Sequence, residues 1–387
     1  MTISPEAFEI AVPIEKLTGI ERRVRDFPWH NVPYVPGWTA GASRAFMQSL
    51  CAYWVDRFDW RAAERNLNRH PQFKARIDGI DIHFYHVKGS AETARPLLLL
   101  HGWPGSVAEF HPLIERLSDP ARHGGDAADG FDLVIPSLPG YGFSGCPAAP
   151  IGARDAAAIM VRLMTEVLDY DAYISQGGDW GGILSSWIGM LDPVHCAGIH
   201  LNMTMPAKPD AGSADEMAWA ERFAGLQQVE GAYGRIQMTR PQSLGFAMAD
   251  SPVGVAAWIV EKFAAWSDLP RTPAGEPDLL SRYSYDELLA NVMIYLAEDK
   301  FISSTWLYHG SVKPGQLPFS DGGRCDVPTA IAAFPDPVFI PPPRSLSERF
   351  YNVVRWTRMP RGGHFAAMEA PDLFVDDVQA FGRQIFG

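Results

Sequence analysis

Cysteine is scarce in this chain, and its scarcity argues against two kinds of site. Four cysteines occur among 387 residues, and they lie far apart, at Cys51, Cys146, Cys196 and Cys325. Such spacing is typical neither of a disulfide framework nor of a cysteine metal site, and it fits reduced thiols in the cytoplasm. We therefore expect a cytoplasmic protein with partly buried thiols and without disulfide bonds.

Long apolar runs and basic clusters are missing as well. No uninterrupted apolar stretch approaches the ~18 residues of a membrane span, so no membrane span is predicted. The segment from Met1 to Glu6 has neither the basic nor the apolar region of a signal peptide. The net charge of −12 argues against a nucleic-acid partner, and no local cluster of basic residues offers an exception.

The pattern of apolar residues predicts an α/β core. Several apolar runs have no polar face, as expected for strands of a sheet that is covered on both sides. These runs lie at 96–100, 131–135, 172–174 and 198–201. Two more strands are predicted at 327–334 and 351–356, followed by a closing helix over 372–386.

A helical block interrupts this core, and an appendage precedes it. Residues 207–312 are mostly helical by period and carry no clear strand, which is typical of a lid inserted into an α/β sheet. In the first ~90 residues, helices are predicted over 14–25 and 43–68, and a hairpin turns at Asp78–Gly79. The predicted parts are an N-terminal wrapping extension (1–90), a first core segment (91–206), the lid (207–312) and a second core segment (313–387).

The most informative motif is Gly177–Gly181, whose sequence is Gly-Gly-Asp-Trp-Gly. Small residues two positions before and after Asp179 permit the sharp strand-to-helix turn on which α/β-hydrolases carry their nucleophile. Attack of a carboxylate on an activated sp³ carbon gives an ester that water can cleave, whereas a serine would give a stable ether. We therefore predict Asp179 as a nucleophile, with a glycine-rich surface turn as the alternative for this motif alone.

The segment His101–Gly105 follows the first buried core strand and is predicted to help form an oxyanion hole. An α/β-hydrolase builds that hole from the N–H after the nucleophile and an N–H of this loop. Here those groups belong to Trp180 and Trp103, and they would stabilise the oxyanion that forms when water attacks the Asp179 ester. Because the Trp103 N–H must turn inward directly after a strand, we expect a cis peptide bond between Trp103 and Pro104.

His364 is the predicted general base, although the chain has 11 histidines and most histidines are structural. It follows two glycines after the last strand, where a hydrolase triad carries its histidine, and it would activate the hydrolytic water. Asp336, just after the preceding strand, is the candidate carboxylate that orients the imidazole ring. Glu348 and Asp326 are rivals, because an aspartate between two prolines is also an ordinary turn residue.

An Asp-His-Asp set alone does not distinguish epoxide opening from dehalogenation. A halide needs N–H donors, whereas an epoxide oxygen needs a proton, which a tyrosine hydroxyl can supply. The helical block offers tyrosines in Glu230–Gln237 and Ser303–Tyr308. Taken by themselves, these tyrosines are more typical of core packing than of acid catalysis.

Taken together, the motifs resemble the microsomal-type epoxide hydrolase family over nearly the whole chain. The segments that carry this resemblance are Phe58–Arg61, Pro71–Phe73, His101–Pro104, Pro136–Ser144, Gly177–Gly181, Thr239–Ser243, Ala257–Lys262 and Arg361–Ala367. The resemblance implies Asp179 as nucleophile, His364 as base, and Tyr233 and Tyr308 as acids. The family's usual acid position falls on Pro337, one residue after Asp336, so Asp336 and a nearby carboxylate such as Glu348 both stay open.

The resemblance therefore implies an α/β-hydrolase fold and an ether-bond hydrolase that converts an apolar or aryl epoxide to a vicinal diol. It implies an enzyme that acts on a small-molecule substrate and needs neither a cofactor nor a metal ion. Whether the protein forms a homodimer stays open. The physiological role would be xenobiotic detoxification or natural-product biosynthesis. The alternatives are a haloalkane dehalogenase, which the paired tyrosines and the N-terminal extension disfavour, and an inactive relative that binds small molecules.

Overall fold

The fold is built around one nine-stranded sheet. The computed structural model describes residues 4–91, 94–205 and 208–387. The first three residues of the predicted leaderless N-terminus lie outside this part, as does the predicted lid boundary at 206–207. The strands are β1 Glu6–Phe8, β2 Gln72–Ile77, β3 Ile80–Val87, β4 Arg95–Leu100, β5 Phe131–Pro136, β6 Tyr173–Gly177, β7 Cys196–Leu201, β8 Cys325–Ala333 and β9 Tyr351–Arg358.

The strand order is β1-β2-β3-β5-β4-β6-β7-β8-β9. The pairs β1–β2, β2–β3 and β3–β5 are antiparallel. All the remaining neighbours, from β5–β4 to β8–β9, are parallel. The central strands β4, β5 and β6 are almost wholly buried, because helices cover both faces of the sheet. Parallel strands place their carboxyl ends at one edge, where the loops after β4, β6, β8 and β9 can meet.

The helices surround the sheet and also form a block between β7 and β8. Those in the first part of the chain are α1 Ile14–Arg25, α2 Arg44–Asp56, α3 Trp60–Leu67, α4 Ile114–Ser118, α5 Ala153–Arg162 and α6 Asp179–Leu191. The block between β7 and β8 contains α7 Ala214–Glu230, α8 Ala232–Thr239, α9 Pro241–Asp250, α10 Pro252–Trp266, α11 Tyr285–Ala297, α12 Phe301–Ser304 and α13 Trp306–Ser311. The last helices are α14 Arg344–Phe350, α15 Ala366–Glu369 and α16 Pro371–Phe386.

The helix predicted over 43–68 is wrong as one element, because the chain forms α2 and α3 with a break between them. Asp59 has an extended backbone (φ −103°, ψ 96°), and both Trp60 and Leu67 of the second helix are buried. The helical spacing continues across the break, so periodicity alone does not reveal the change of direction. The predicted hairpin is confirmed, with positive φ at Asp78 and Gly79 in its turn.

The N-terminal region contacts both the sheet and the helical block. Strand β1 extends the sheet by pairing with β2, and Lys16 of α1 forms a 2.5 Å ion pair with Asp299, just after α11. The Tyr53 hydroxyl donates a 3.0 Å hydrogen bond to Asp286 at the start of α11. These contacts are compatible with a wrapping extension, while the division into four parts stays a prediction.

No single helix within the described residues combines the length and the apolar character that a membrane crossing requires. Helices α9 and α10 meet that criterion only when they are taken together, and the pair is bent by 120°. Of the four free thiols, those of Cys51, Cys196 and Cys325 are buried and that of Cys146 is exposed.

Candidate active site

Asp179 lies on a sharp turn between β6 and α6. Its backbone φ is +48°, in the left-handed region that non-glycine residues seldom adopt. A Cβ atom on Gly177 would collide with the backbone of Gly181, and one on Gly181 would collide with the carbonyl of Leu100. Gly177 is therefore required by the tightness of the β6–α6 turn itself, and Gly181 by the close approach of that turn to β4.

Two groups contact the Asp179 carboxylate from different elements. The Trp103 N–H, in the loop after β4, donates a 2.8 Å hydrogen bond to Oδ1. His364 Nε2, in the loop after β9, lies 3.4 Å from Oδ2. The structure shows no hydrogen bond from the Trp180 N–H to this carboxylate. The Trp103–Pro104 peptide bond is cis, as predicted.

His364 is held in place from its other ring nitrogen and from its backbone. Its Nδ1 lies 2.8 Å from Oδ2 of Asp336, and its N–H donates to the carbonyl of Trp266 at 3.1 Å. Burial lowers the pKa of His364, but the negative charges of Asp336 and Asp179 outweigh burial and raise that pKa to about 10. The imidazolium is therefore the resting form of His364 at neutral pH.

Asp336 is the carboxylate that the structure brings to His364, and its own position is fixed by the backbone. Its Oδ1 accepts hydrogen bonds from the N–H groups of Val338 and Phe339, each at 2.8 Å. Oδ2 is left for the histidine. The two rival carboxylates lie elsewhere: Glu348 pairs with Arg344 at 2.7 Å, and Asp326, 83% exposed, pairs with Arg324 at 3.1 Å.

Tyr233 of α8 and Tyr308 of α13 are both buried and line the same cavity as Asp179. Their ring centroids are 6.0 Å apart. Tyr233 stacks on the Trp103 indole at 5.2 Å and 12°, and Tyr308 packs edge-on against Trp180 at 4.7 Å. The two residues predicted for the oxyanion hole thus each support one of the tyrosines.

Both phenols stay protonated at neutral pH. Burial, followed by the charge of Asp179, raises the pKa of Tyr233 well above its usual value. Burial likewise raises the pKa of Tyr308, and the neighbouring Tyr233 adds to this shift. A neutral hydroxyl that borders a cavity can donate its proton to a ligand in that cavity.

The cavity above Asp179 has a volume of about 270 Å³ and an apolar wall. Helices of the block between β7 and β8 form much of this wall, together with the loops after β7 and β8. Its apolar side chains include Ile183, Met203, Met205, Trp219, Phe223, Met238, Leu317, Ile331 and Phe339. Such a cavity suits a small or medium-sized apolar molecule with few polar atoms.

Sequence reasoning missed two residues that support this site. The buried Glu369 accepts hydrogen bonds from the N–H groups of Gly363 and Phe365, each at 2.9 Å, and so fixes the loop on both sides of the histidine. The Lys262 ammonium lies 4.9 Å from the Tyr233 ring centroid. Lys262 occurs in a segment that carried the family resemblance, and Glu369 lies two residues beyond another, but nothing in their spacing indicated these contacts.

Comparison with known proteins gives a consistent result. The family described as "Epoxide hydrolase N terminus" matches residues 5–110, and the "alpha/beta hydrolase fold" family matches residues 95–304. A relative from Stigmatella aurantiaca is 40% identical over 98% of this chain and 84% of its own length. Epoxide hydrolase 1 of Sus scrofa is 33% identical over 97% of this chain and 87% of its own length.

A solved structure supports the same assignment. The structure of Aspergillus niger epoxide hydrolase superposes with a TM-score of 0.84 and 30% sequence identity, and the match covers 99% of this chain and 97% of that one. The predicted α/β-hydrolase fold is confirmed by this similarity and by the family match. With its fold, its two matched regions and relatives that align over most of their length, the chain belongs to the epoxide hydrolase family.

Proposed function

We propose that this protein hydrolyses an apolar or aryl epoxide to a vicinal diol through an ester on Asp179. The observation that carries the proposal is the position of the Asp179 carboxylate. It lines one cavity together with two buried tyrosines and lies 3.4 Å from His364, which does not line that cavity. A nucleophile, proton donors for the leaving oxygen and a base for water are thus within reach of one reacting carbon.

The first step opens the ring. An oxygen of the Asp179 carboxylate attacks an epoxide carbon, the bond from that carbon to the epoxide oxygen breaks, and the oxygen takes a proton from Tyr233 or Tyr308. The second phenol donates a hydrogen bond that shares the developing negative charge. The proton that His364 holds in the free enzyme returns through solvent to the phenolate, which leaves the imidazole neutral.

The second step hydrolyses the ester. Water gives one proton to Nε2 of His364 while its oxygen attacks the carboxyl carbon of Asp179, and the Trp103 N–H, joined in this role by that of Trp180, stabilises the oxyanion. The bond between the carboxyl carbon of Asp179 and the ester oxygen then breaks. The substrate alkoxide that is released takes the proton from His364 and leaves as the diol. The remaining water proton passes from Asp179 to His364 and restores the ion pair.

Two alternatives fit this site less well. A dehalogenase needs N–H donors for its halide, whereas the hydroxyls of Tyr233 and Tyr308 offer O–H donors in the cavity that Asp179 borders. An inactive binding protein would not need a carboxylate, a histidine and a second carboxylate joined by contacts of 3.4 Å and 2.8 Å. Retained binding of apolar epoxides without diol formation would favour that second alternative.

A substrate panel tests the proposed activity. Aryl, terpene and fatty epoxides should each be offered to the enzyme, with the diols assigned on a chiral column and matched haloalkanes as the comparison. We expect diols from the apolar epoxides that fit a cavity of about 270 Å³, and no halide release. This panel also addresses the physiological role, either xenobiotic detoxification or natural-product biosynthesis.

The change His364→Gln should separate the two steps. We expect ring opening to continue, because the nucleophile and both tyrosines remain, and ester hydrolysis to slow by about 10²–10⁴-fold, because the general base is lost. The ester should then accumulate and add the mass of one substrate to the intact protein. If the variant neither turns over nor gains that mass, His364 is also needed for ring opening.

The change Asp336→Asn should slow ester hydrolysis by about 10²–10⁴-fold, because an amide can hold the imidazole in the wrong tautomer and cannot stabilise the imidazolium. Steady-state rates and the mass of the accumulated ester measure this effect. Glu348→Gln is the matched control and should leave both unchanged, since Glu348 pairs only with Arg344 at the surface. A larger loss for Glu348→Gln than for Asp336→Asn would reassign the triad acid.

A further inference from the structure

A second, small cavity lies against Asp179, His364 and Glu109. Its volume is about 20 Å³, which is room for about one water molecule. Asp179 borders both cavities, whereas His364 and Glu109 border only the small one, and Tyr233 and Tyr308 border only the large one. The nucleophile thus separates a chamber suited to an apolar substrate from a chamber suited to water.

Glu109 is one of the polar side chains of the small cavity that the mechanism has not yet used. It ends the short turn Val107–Glu109 after the loop that carries Trp103, and its carboxyl lies over Gly105, where a Cβ atom would collide with Oε1. The side chain is half-buried, and the Ser106 backbone is one hydrogen-bonding partner of its carboxyl, which leaves further acceptor positions for a ligand in the cavity. Burial raises the pKa of Glu109 to about 8, with His364 opposing this shift and Asp179 adding to it, so the carboxyl senses both catalytic charges.

The other polar groups around this cavity are already engaged. The two ring nitrogens of His101 contact the Gly102 carbonyl at 3.0 Å and the Leu138 N–H at 3.2 Å. The side-chain oxygen of Asn202 accepts a 2.9 Å hydrogen bond from Gln176. The Glu109 carboxyl has more acceptor positions than the Ser106 backbone occupies, so it can accept a hydrogen from a water molecule whose other hydrogen points to His364.

We propose that Glu109 positions the water that hydrolyses the Asp179 ester, an inference that rests on the proposed function. The water donates one hydrogen to Nε2 of His364 and the other to the Glu109 carboxyl. With both hydrogens held, a lone pair of the water oxygen points at the carboxyl carbon of Asp179. Glu109 neither gains nor loses a proton in this step. It fixes the geometry of attack and so acts only in the second half of the reaction.

The changes Glu109→Gln and Glu109→Leu test this role by single-turnover kinetics and intact mass. Ring opening should stay within about twofold of the unchanged enzyme, since Glu109 does not border the substrate cavity. Ester hydrolysis should slow by roughly 10-fold for Gln, which still offers a weaker acceptor, and by roughly 100-fold for Leu, so the ester accumulates. Glu115→Gln, six residues along and exposed, is the matched control and should leave both steps unchanged.

A second variant tests the same idea without removing the carboxyl. Gly105→Ala should push Glu109 out of the cavity, because its new methyl group occupies the place of Oε1, and should again slow hydrolysis more than ring opening. Melting temperatures identify loss of folding, and Glu109→Gln, which keeps the shape, remains informative if the other variants unfold.

The inference is overturned if the folded variants slow both steps equally or accumulate no ester. Failure of the proposed function has a different signature, because then His364→Gln accumulates no ester either. If His364→Gln accumulates the ester and Glu109→Leu hydrolyses it at the normal rate, only the role of Glu109 is wrong.

Discussion

Replacing Asp179 with alanine should reduce diol formation by roughly 10⁴-fold or more, since the covalent route is lost with its nucleophile. No other described carboxylate borders the substrate cavity, because Glu109 borders only the small cavity. The other carboxylate of the triad, Asp336, lies behind His364 and accepts two backbone N–H groups. Diol formation from the best substrate of the panel, with the melting temperature as a check on folding, measures this effect.

Isotope labelling tests the ester directly in the unchanged enzyme. Excess enzyme should complete one turnover in ¹⁸O water and then be digested. Because water attacks the carboxyl carbon of Asp179, the label should appear in the peptide that contains this residue. The peptide that contains Asp336 is the control and should stay unlabelled. Label found only in the diol after one turnover would mean that water attacks the epoxide directly.

The nucleophile and its turn could be predicted because their constraints are local in sequence. The tight turn around Asp179 requires glycine at Gly177, and its close approach to β4 requires glycine at Gly181, so both constraints appear within five residues of sequence. The buried strands were predictable for a similar reason, since a strand covered on both faces appears in the sequence as an unbroken run of apolar residues.

The triad acid could be predicted only as one of several carboxylates. The three candidates are Asp326 within β8, Asp336 after β8 and Glu348 before β9, and sequence position does not tell which one turns inward. The choice depends on the loop after β8, where the N–H groups of Val338 and Phe339 hold one oxygen of Asp336. Glu348 lies one helical turn from Arg344, and that pairing keeps it at the surface.

Glu109 could not be predicted, because its environment comes from distant parts of the chain. The small cavity joins residues after β4, β6 and β9, and only the folded sheet brings them together. In the sequence, Glu109 is an ordinary carboxylate in a short turn. The break between α2 and α3 is a similar case, because packing of Trp60 and not helical period decides the direction of the second helix.

The paired change Tyr233→Phe and Tyr308→Phe should slow ring opening by about 10²–10⁴-fold or more, whereas either single change should slow it less. The epoxide oxygen leaves as an alkoxide, which is too basic to depart unaided near neutral pH. Both phenols are kept neutral by burial, so each can supply a proton or a hydrogen bond. With one phenol left, the alkoxide still finds a donor, and the two single effects should therefore not add.

Ester hydrolysis in these variants should change much less than ring opening, because its negative charge develops near the Trp103 N–H and not at the phenols. Single-turnover kinetics, with the ester followed by intact mass, separate the two steps. Tyr295→Phe is a useful control, since that buried hydroxyl donates to the Gly105 carbonyl at 2.6 Å and does not border the large cavity. If the double variant forms the ester at a near-normal rate while only its stability falls, both tyrosines are packing residues. The dehalogenase alternative would then deserve renewed testing with haloalkanes, because the paired hydroxyls are the feature that favours an epoxide over a halide.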